Sequence, residues 1–144
     1  MRSIFSTAYN QTVFHLWLLF FRVTASAFML THGAPKFIKV LEGDFTFADP
    51  LGVGPAVSLI LTVFAEFFCS IFILLGLGTR LAVIPLIITM LVAAFVVHAA
   101  DPFAKQELPL LYVLIYATLL ITGSGKLSID YFIEKKSSKN KYRF

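Results

Sequence analysis

Two stretches decide the fold: residues 13–32, VFHLWLLFFRVTASAFMLTH, and residues 56–75, AVSLILTVFAEFFCSIFILL. Each is close to the ~20 residues that a helix needs to cross the hydrocarbon core of a bilayer. Each also carries one fully charged residue near its middle, Arg22 in the first stretch and Glu66 in the second. Both stretches are therefore predicted to be transmembrane helices with an ionisable group inside the membrane.

The composition of the whole chain supports a membrane location. Of its 144 residues, 58% are hydrophobic and only 14% are charged, and the mean hydropathy is +0.85. A soluble domain with so few charged residues would lack the polar surface that water requires. The single cysteine, Cys69, excludes an internal disulfide, a redox-active cysteine pair and a cysteine-based metal or iron–sulfur site.

Two further apolar segments complete the predicted architecture. They cover residues 81–97 and 108–123, so the expected fold is all-α: one domain over residues 1–144, built as a membrane four-helix bundle. Gly33 and Pro35 are helix breakers, and they predict that the first helix ends near His32. Residues 33–55 would then form a long loop, either a half-buried cap over the outer mouth of the bundle or an interfacial segment anchored by its phenylalanines.

The distribution of Lys and Arg predicts the orientation. Eight of them fall on one side of the predicted bundle and three on the other, with Arg22 inside the membrane; the eight are Arg2, Arg80, Lys126, Lys135, Lys136, Lys139, Lys141 and Arg143. The positive-inside rule then places both termini in the cytoplasm of a multi-pass protein of the bacterial inner (plasma) membrane. The basic tail, residues 134–144, is expected to lie against the lipid bilayer and not to bind nucleic acid.

The two intramembrane charges are predicted to form a pair. Arg22 and Glu66 lie near the middle of their segments, and an isolated charge at that depth costs about 2.5–3.5 kcal/mol. Arg22 shares a helical stripe with Ser26, Met29 and Gly33, whereas Glu66 shares one with Thr62, Cys69 and Ser70. Both stripes should face the bundle interior. The pair could be a structural lock or the floor of a ligand or proton site, and we favour the site.

A second group of ionisable residues is predicted at the outer mouth. It comprises His32, Lys36, His98, Glu107 and Tyr112. Histidine and tyrosine can hydrogen-bond a carbonyl oxygen and exchange its proton near neutral pH, which suits a quinone head group. On their own, Tyr112 and Tyr116 are better explained as interfacial belt residues. A two-histidine, one-carboxylate metal site (with Glu107 or Asp101) is disfavoured because no ligand-spacing motif occurs on one helix, so we expect no metal.

With these residues in place, the chain resembles the DoxX family of small bacterial membrane proteins. The resemblance runs from about Phe20 to Tyr131 and rests on the order and spacing of short segments: Phe21-Arg22-Val23, residues 31–37 (THGAPKF), Ala65-Glu66, residues 76–81 (GLGTRL), residues 97–99 (VHA), residues 101–103 (DPF), Glu107, Leu111-Tyr112, residues 123–126 (GSGK) and residues 128–130 (SID). One departure is Phe67-Phe68-Cys69, where the family pattern has a glycine soon after the glutamate. These bulkier residues argue against tight helix contact there.

The resemblance implies a four-helix membrane bundle associated with respiratory or stress-related redox chemistry, because one relative is a subunit of a thiosulfate:quinone oxidoreductase. We therefore expect a bound quinone or other lipophilic molecule, no covalent cofactor, and a redox partner protein or a homo-oligomer, because the chain has no electron carrier of its own. Enzymatic activity is left open. The alternatives are a proton-coupled carrier gated by Arg22 and Glu66, and a scaffold that docks a redox partner through the basic tail.

Overall fold

The computed structural model describes residues 10–141 of the chain, with side chains up to residue 137, and these residues form five helices. Helices α1 (Gln11–Leu41), α2 (Pro55–Leu75), α3 (Thr79–Val97) and α4 (Phe103–Thr122) are each long and apolar enough to cross a membrane. Helix α5 (Ile129–Lys141) is short and carries the whole described part of the basic tail. The predicted all-α, four-span architecture is confirmed. Arg2 and Arg143, which contribute to the orientation argument, lie outside the described residues, and the orientation stays a prediction.

Helix α1 is longer than predicted. It begins after Asn10, whose side chain accepts a hydrogen bond from the backbone N–H of Thr12, and it runs for 31 residues, or about 46 Å. The prediction that it ends near His32 is wrong, because Gly33 and Pro35 both lie inside it. The connection to α2 is therefore residues 42–54 and not 33–55. The added turns place Lys36 on the helix face that also contains the buried residues Met29 and Gly33.

Two transmembrane helices contain a wide π-helical segment, Phe64–Cys69 in α2 and Ala93–Val97 at the end of α3. A π-helical turn inserts an additional residue and shifts the register of the side chains that follow. Such turns are frequent at functional sites. The first segment contains Glu66, and the second directly precedes His98.

The bundle core lies where α2, α3 and α4 meet α1. Its buried cluster includes Met29, Cys69, Ile73, Leu86 and Tyr116. Around it, the outward faces expose large hydrophobic side chains such as Phe20, Leu81 and Ile121. This pattern is expected for a protein solvated by lipid. Contact between α1 and α4 is sparse, whereas α3 and α4 pack extensively, so the bundle is least closed between α1 and α4.

The connection from α1 to α2 is held by two aspartates. Asp49 accepts hydrogen bonds from the backbone N–H groups of Val53 and Gly54 just before α2 begins. Asp44 accepts hydrogen bonds from the backbone N–H and the hydroxyl of Thr46, at 2.9 and 2.5 Å, and pairs with Lys39 at 3.2 Å. The segment is thus ordered by local polar contacts.

We expect the Asp44 contacts to persist to unusually low pH. Hydrogen bonds from Thr46, and then the Lys39 ammonium, lower the pKa of Asp44 from 3.8 to about 2. Because the pKa of Asp44 is depressed, its contacts contribute fully to the stability of the folded protein above about pH 4. This contribution is lost as the pH falls through about 2. A carbon-13 NMR titration of the Asp44 carboxyl, assigned with Asp44→Asn, should give a midpoint well below 3.8. A midpoint at the ordinary value would contradict the contacts, and Lys39→Met should move it upward.

At the opposite end of the bundle, α5 is tied to the α2–α3 turn. Asp130 accepts hydrogen bonds from the backbone N–H groups of Gly78 (2.6 Å) and Thr79 (3.0 Å), and its own N–H donates to the carbonyl of Gly76. A carboxylate at this position satisfies the free N–H groups at the start of α3 and complements the helix dipole. The residues after α4 are thereby fixed against the bundle.

Candidate functional site

A buried ion pair joins α1 to the π-helical segment of α2. The Lys36 ammonium lies 2.7 Å from Oε1 and 2.6 Å from Oε2 of Glu66, so one cation contacts both carboxylate oxygens. The Glu66 side chain is 4% exposed and that of Lys36 is 28% exposed. A carboxylate buried to this degree is stable in its charged form only with a partner, and Lys36 is that partner.

The pair depends on a close approach of the two helices. A Cβ atom built on Gly33 would lie 2.7 Å from the backbone carbonyl carbon and oxygen of Glu66. Gly33 is three residues before Lys36 and on the same helix face, so this contact brings the Lys36 side chain over Glu66. The expectation of loose packing beside Phe67 and Phe68 is wrong, because the small residue at this contact is on α1.

Aromatic rings pack around the pair. Phe37 stacks on Phe67 with ring centroids 4.4 Å apart, and Phe68 meets both rings edge-on. From the α1–α2 connection, Phe47 places its ring 5.8 Å from the Lys36 nitrogen, which is a cation–π distance. Phe47 is only half-buried, so residues 42–54 contact the pair without sealing it from its surroundings.

The ion pair forms one wall of a cavity of about 240 Å³, here called the chamber. Its polar lining consists of His32, Lys36, Glu66, His98, Lys105 and Tyr112, and its apolar lining includes Met29 and Met90. The rings of His32 and Tyr112 meet edge to face at 6.3 Å. The structure therefore brings together five of the seven predicted site residues in one space.

His98 is oriented by residues in the α3–α4 connection. Its Nδ1 lies 2.8 Å from Oδ2 of Asp101, and Lys105 donates to the other oxygen of Asp101 at 3.1 Å. The hydrogen bond with His98, followed by that from Lys105, lowers the pKa of Asp101 and keeps it ionised. With Nδ1 engaged, Nε2 is the His98 nitrogen left for a ligand. In the described part of the chain, no three His, Cys, Asp or Glu side chains cluster to hold a metal ion.

The predicted pair between Arg22 and Glu66 is not formed. Arg22 is 2% exposed, and its Nη2 donates to the backbone carbonyl of Leu127 at 2.5 Å. A Cβ on Gly76 would overlap the Arg22 guanidinium, which shows that the arginine packs against the α2–α3 turn. That turn is ten residues after Glu66, or about 15 Å along α2. Arg22 is therefore a structural link at the other end of the bundle.

Two further predictions need correction. Glu107 is exposed and is not among the residues that line the chamber, because it lies on the outward face of the first turns of α4. Tyr112 and Tyr116 are buried and stack at 5.9 Å between ring centroids, so they belong to the bundle interior and not to an interfacial belt.

Comparison with known proteins agrees with this architecture. A protein-family model, DoxX, matches residues 17–99. An uncharacterized protein of Haemophilus influenzae is 30% identical over 131 residues, covering 83% of this chain and 92% of the relative. A Bacillus subtilis protein named "Putative oxidoreductase CatD" is 27% identical over 123 residues, covering 85% of this chain and 90% of its own. No solved structure gives a significant match.

The family match covers more than half of the chain, including most of α1 and all of α2 and α3, with the ion pair between the first two. Four apolar helices, lipid-type outward faces and a buried polar chamber fit the same assignment. The chain is a multi-pass membrane protein, and it belongs to the DoxX family.

Proposed function

We propose that the chamber binds the polar head of a quinone or a similar lipophilic carbonyl compound. The observation that carries this proposal is the ion pair of Lys36 and Glu66 at the wall of a polar cavity, with His32 and Tyr112 beside it. An ammonium and an imidazole N–H can donate hydrogen bonds to a carbonyl oxygen, and a carboxylate can accept one from a hydroxyl. The chamber thus offers donors for a quinone and an acceptor for the corresponding quinol.

The surroundings of the chamber suit an amphiphilic ligand. A groove of about 220 Å³ runs along the loosely packed side of the bundle, between α1 and α4, and its lining includes Phe20, Phe28 and Leu111. It shares Leu108 and Tyr112 with the chamber. A ligand with its head in the chamber can therefore place an apolar tail in the groove, in direct contact with lipid.

Any redox step at this site needs electrons from another protein. Conversion of a quinone to a quinol takes two electrons and two protons, and the sequence offers no cysteine pair to carry the electrons. We propose that the protein acts as a subunit or accessory of a membrane redox or stress system in the bacterial plasma membrane. The name of the Bacillus subtilis relative, which refers to an oxidoreductase, supports this direction. His32 and His98 are the groups suited to transfer the protons.

The carrier alternative loses its basis. It required Arg22 and Glu66 to act together as a gate, but these residues contact different elements at different levels of the bundle. Lys36 and Glu66 instead form a buried ion pair at the wall of the chamber, which favours ligand binding.

We expect Glu66→Gln to weaken quinone binding by at least about tenfold, which corresponds to ~1.4 kcal/mol. The substitution keeps the side-chain volume and removes the charge that holds Lys36 in place. Tyr112→Phe, which removes only a hydroxyl, should cause a smaller loss of about threefold to tenfold. The measurement is the rise in melting temperature of the detergent-purified protein, followed by circular dichroism, against the concentration of a one-isoprene ubiquinone.

Glu107→Gln is the matched control, because it makes the same chemical change at an exposed residue outside the chamber. It should bind the quinone as the unmodified protein does. Absence of any quinone-induced shift in the unmodified protein would refute the proposed ligand. Equal affinity of the Glu66→Gln and Glu107→Gln proteins would refute the chamber as its site.

A further inference from the structure

A second cavity, larger than the chamber, lies at the end of the bundle away from it. Its volume is about 540 Å³, and it is bounded by the first turns of α1, the start of α3, the residues after α4 and the start of α5. Its charged and titratable lining comprises His15, Arg80, Lys126, Asp130, Tyr131 and Glu134. We call it the basal cavity. None of its lining residues is shared with the chamber.

The basal cavity has cations and an anion that the fold does not use. Asp130 is fully engaged, because both of its oxygens accept hydrogen bonds at the start of α3. Arg80 makes one hydrogen bond, to the carbonyl of Ile121 at 3.3 Å, and its guanidinium lies beside Gly123. Most of its five N–H donors have no acceptor among the residues that the structure describes. Lys126 and Glu134 are exposed, and neither takes part in an ion pair within the described part of the chain.

Two residues that line this cavity each carry a buried polar atom without a hydrogen-bond partner among the described residues. The atoms are Oγ1 of Thr79, a residue with no exposed surface, and Nδ1 of His15. Buried hydroxyl and imidazole groups are nearly always hydrogen-bonded in native proteins. These unpaired groups belong to residues that line the cavity, which supports a polar occupant there.

Helix α5 indicates where the basal cavity lies relative to the membrane. Asp130, Tyr131 and Glu134 face the cavity, whereas Phe132 and Ile133 are exposed large hydrophobic residues on its other side. A helix with an exposed apolar face next to basic residues lies in the plane of the membrane interface. The cavity therefore opens at the level of the lipid headgroups.

We propose that the basal cavity binds the headgroup of a zwitterionic phospholipid that carries a protonated amine, of the phosphatidylethanolamine type. Arg80 and Lys126 bind its phosphate, and Glu134 binds its ammonium group. A purely anionic ligand fits less well, because Asp130 and Glu134 lie in the same cavity as the two cations. Arginine and lysine are the side chains that bind phosphate oxygens, and an ammonium group pairs with a carboxylate at about 3 Å.

The test is a lipid competition on the full-length, delipidated protein. The protein is offered equal amounts of phosphatidylethanolamine, phosphatidylcholine and phosphatidylglycerol with identical acyl chains, and bound lipids are counted by native mass spectrometry. We expect the protein to retain about fivefold more phosphatidylethanolamine than either of the other lipids. A preference of this size is what one partly exposed ion pair, between the lipid ammonium group and Glu134, can provide. Glu134→Gln should reduce its retention to that of phosphatidylcholine, and Lys126→Gln or Arg80→Gln should reduce retention of all three.

Glu107→Gln, at the other end of the bundle, is the control for Glu134→Gln and should leave the preference unchanged. Glu66→Gln should also leave it unchanged, which separates this site from the quinone proposal. Equal retention of the three lipids, a preference for phosphatidylglycerol, or an unaltered preference in Glu134→Gln would each overturn the proposal. Equal affinity for water-soluble glycerophosphoethanolamine would also overturn it, since the ligand would then be a free phosphodiester and not a lipid.

Discussion

Replacement of Lys36 by methionine is expected to destabilise the protein by about 3 kcal/mol. The substitution leaves the Glu66 carboxylate, of which only 4% is exposed, without the ammonium that contacts both of its oxygens. A buried charge that loses its partner typically costs 3–5 kcal/mol, and the polar lining of the adjacent chamber places the cost here at the lower end of that range. The methionine itself fits well, since it has nearly the length of the lysine stem and no charge.

The double variant Lys36→Met/Glu66→Gln should recover most of the loss. It removes both charges, so no unpaired ion remains in the bundle, and a neutral amide is far cheaper to bury than a carboxylate. The two substitutions should therefore be strongly non-additive, with a coupling energy of about 2 kcal/mol in a double-mutant cycle. Additive effects of the two substitutions would show that the ion pair of Lys36 and Glu66 contributes little to the stability of the protein.

Cys69 provides the measurement. It is the only cysteine in the chain and is 2% exposed, so a maleimide dye that fluoresces on reaction with a thiol reports unfolding at one position. The control is Lys105→Met, the same substitution in a lysine of the same chamber whose side chain is 61% exposed and pairs with Asp101. Exposed pairs contribute about 0–1 kcal/mol, so this variant should melt close to the unmodified protein.

Hydrophobicity alone was enough to predict the fold, because a bilayer allows few alternatives. Four apolar segments of sufficient length must become helices, since every backbone polar group in lipid has to be satisfied within its own segment. Errors arose at the ends of these segments. Gly33 and Pro35 predict a helix end in water, but in α1 the packing against α2 outweighs the loss of one hydrogen bond at Pro35.

That error also explains the wrong ion pair. With α1 ended near His32, Lys36 falls in a loop and Arg22 is the only cation available to Glu66. The buried stripe of α1 in fact contains Arg22, Ser26, Met29 and Gly33, and the same helical spacing continues to Lys36. The helical spacing in the sequence therefore already indicated Lys36 as a possible partner of Glu66. The π-helical segment at Glu66 could not be predicted, because periodicity does not reveal a local change of register.

The second large effect that we expect is a loss of stability when Gly33 is replaced by alanine. The sign of this change in stability tests the close contact between α1 and α2. In an exposed helix position, glycine to alanine stabilises by about 1 kcal/mol. At Gly33 the new methyl group would lie 2.7 Å from the Glu66 carbonyl and 2.8 Å from the Phe67 nitrogen. These are backbone atoms in a helix, so neither can turn aside as a side chain would. The two helices must separate, and we expect a net loss of about 2 kcal/mol.

The separation should also impair the site, because Gly33 sets the distance between Lys36 and Glu66. We expect Gly33→Ala to bind the one-isoprene ubiquinone more weakly than the unmodified protein at a temperature where both remain folded. Ala27→Leu adds a larger side chain at an exposed position of the same helix and should change neither stability nor binding. If Gly33→Ala raised the melting temperature, helix propensity would outweigh the contact. The close approach of α1 and α2 could then not be what holds the ion pair together.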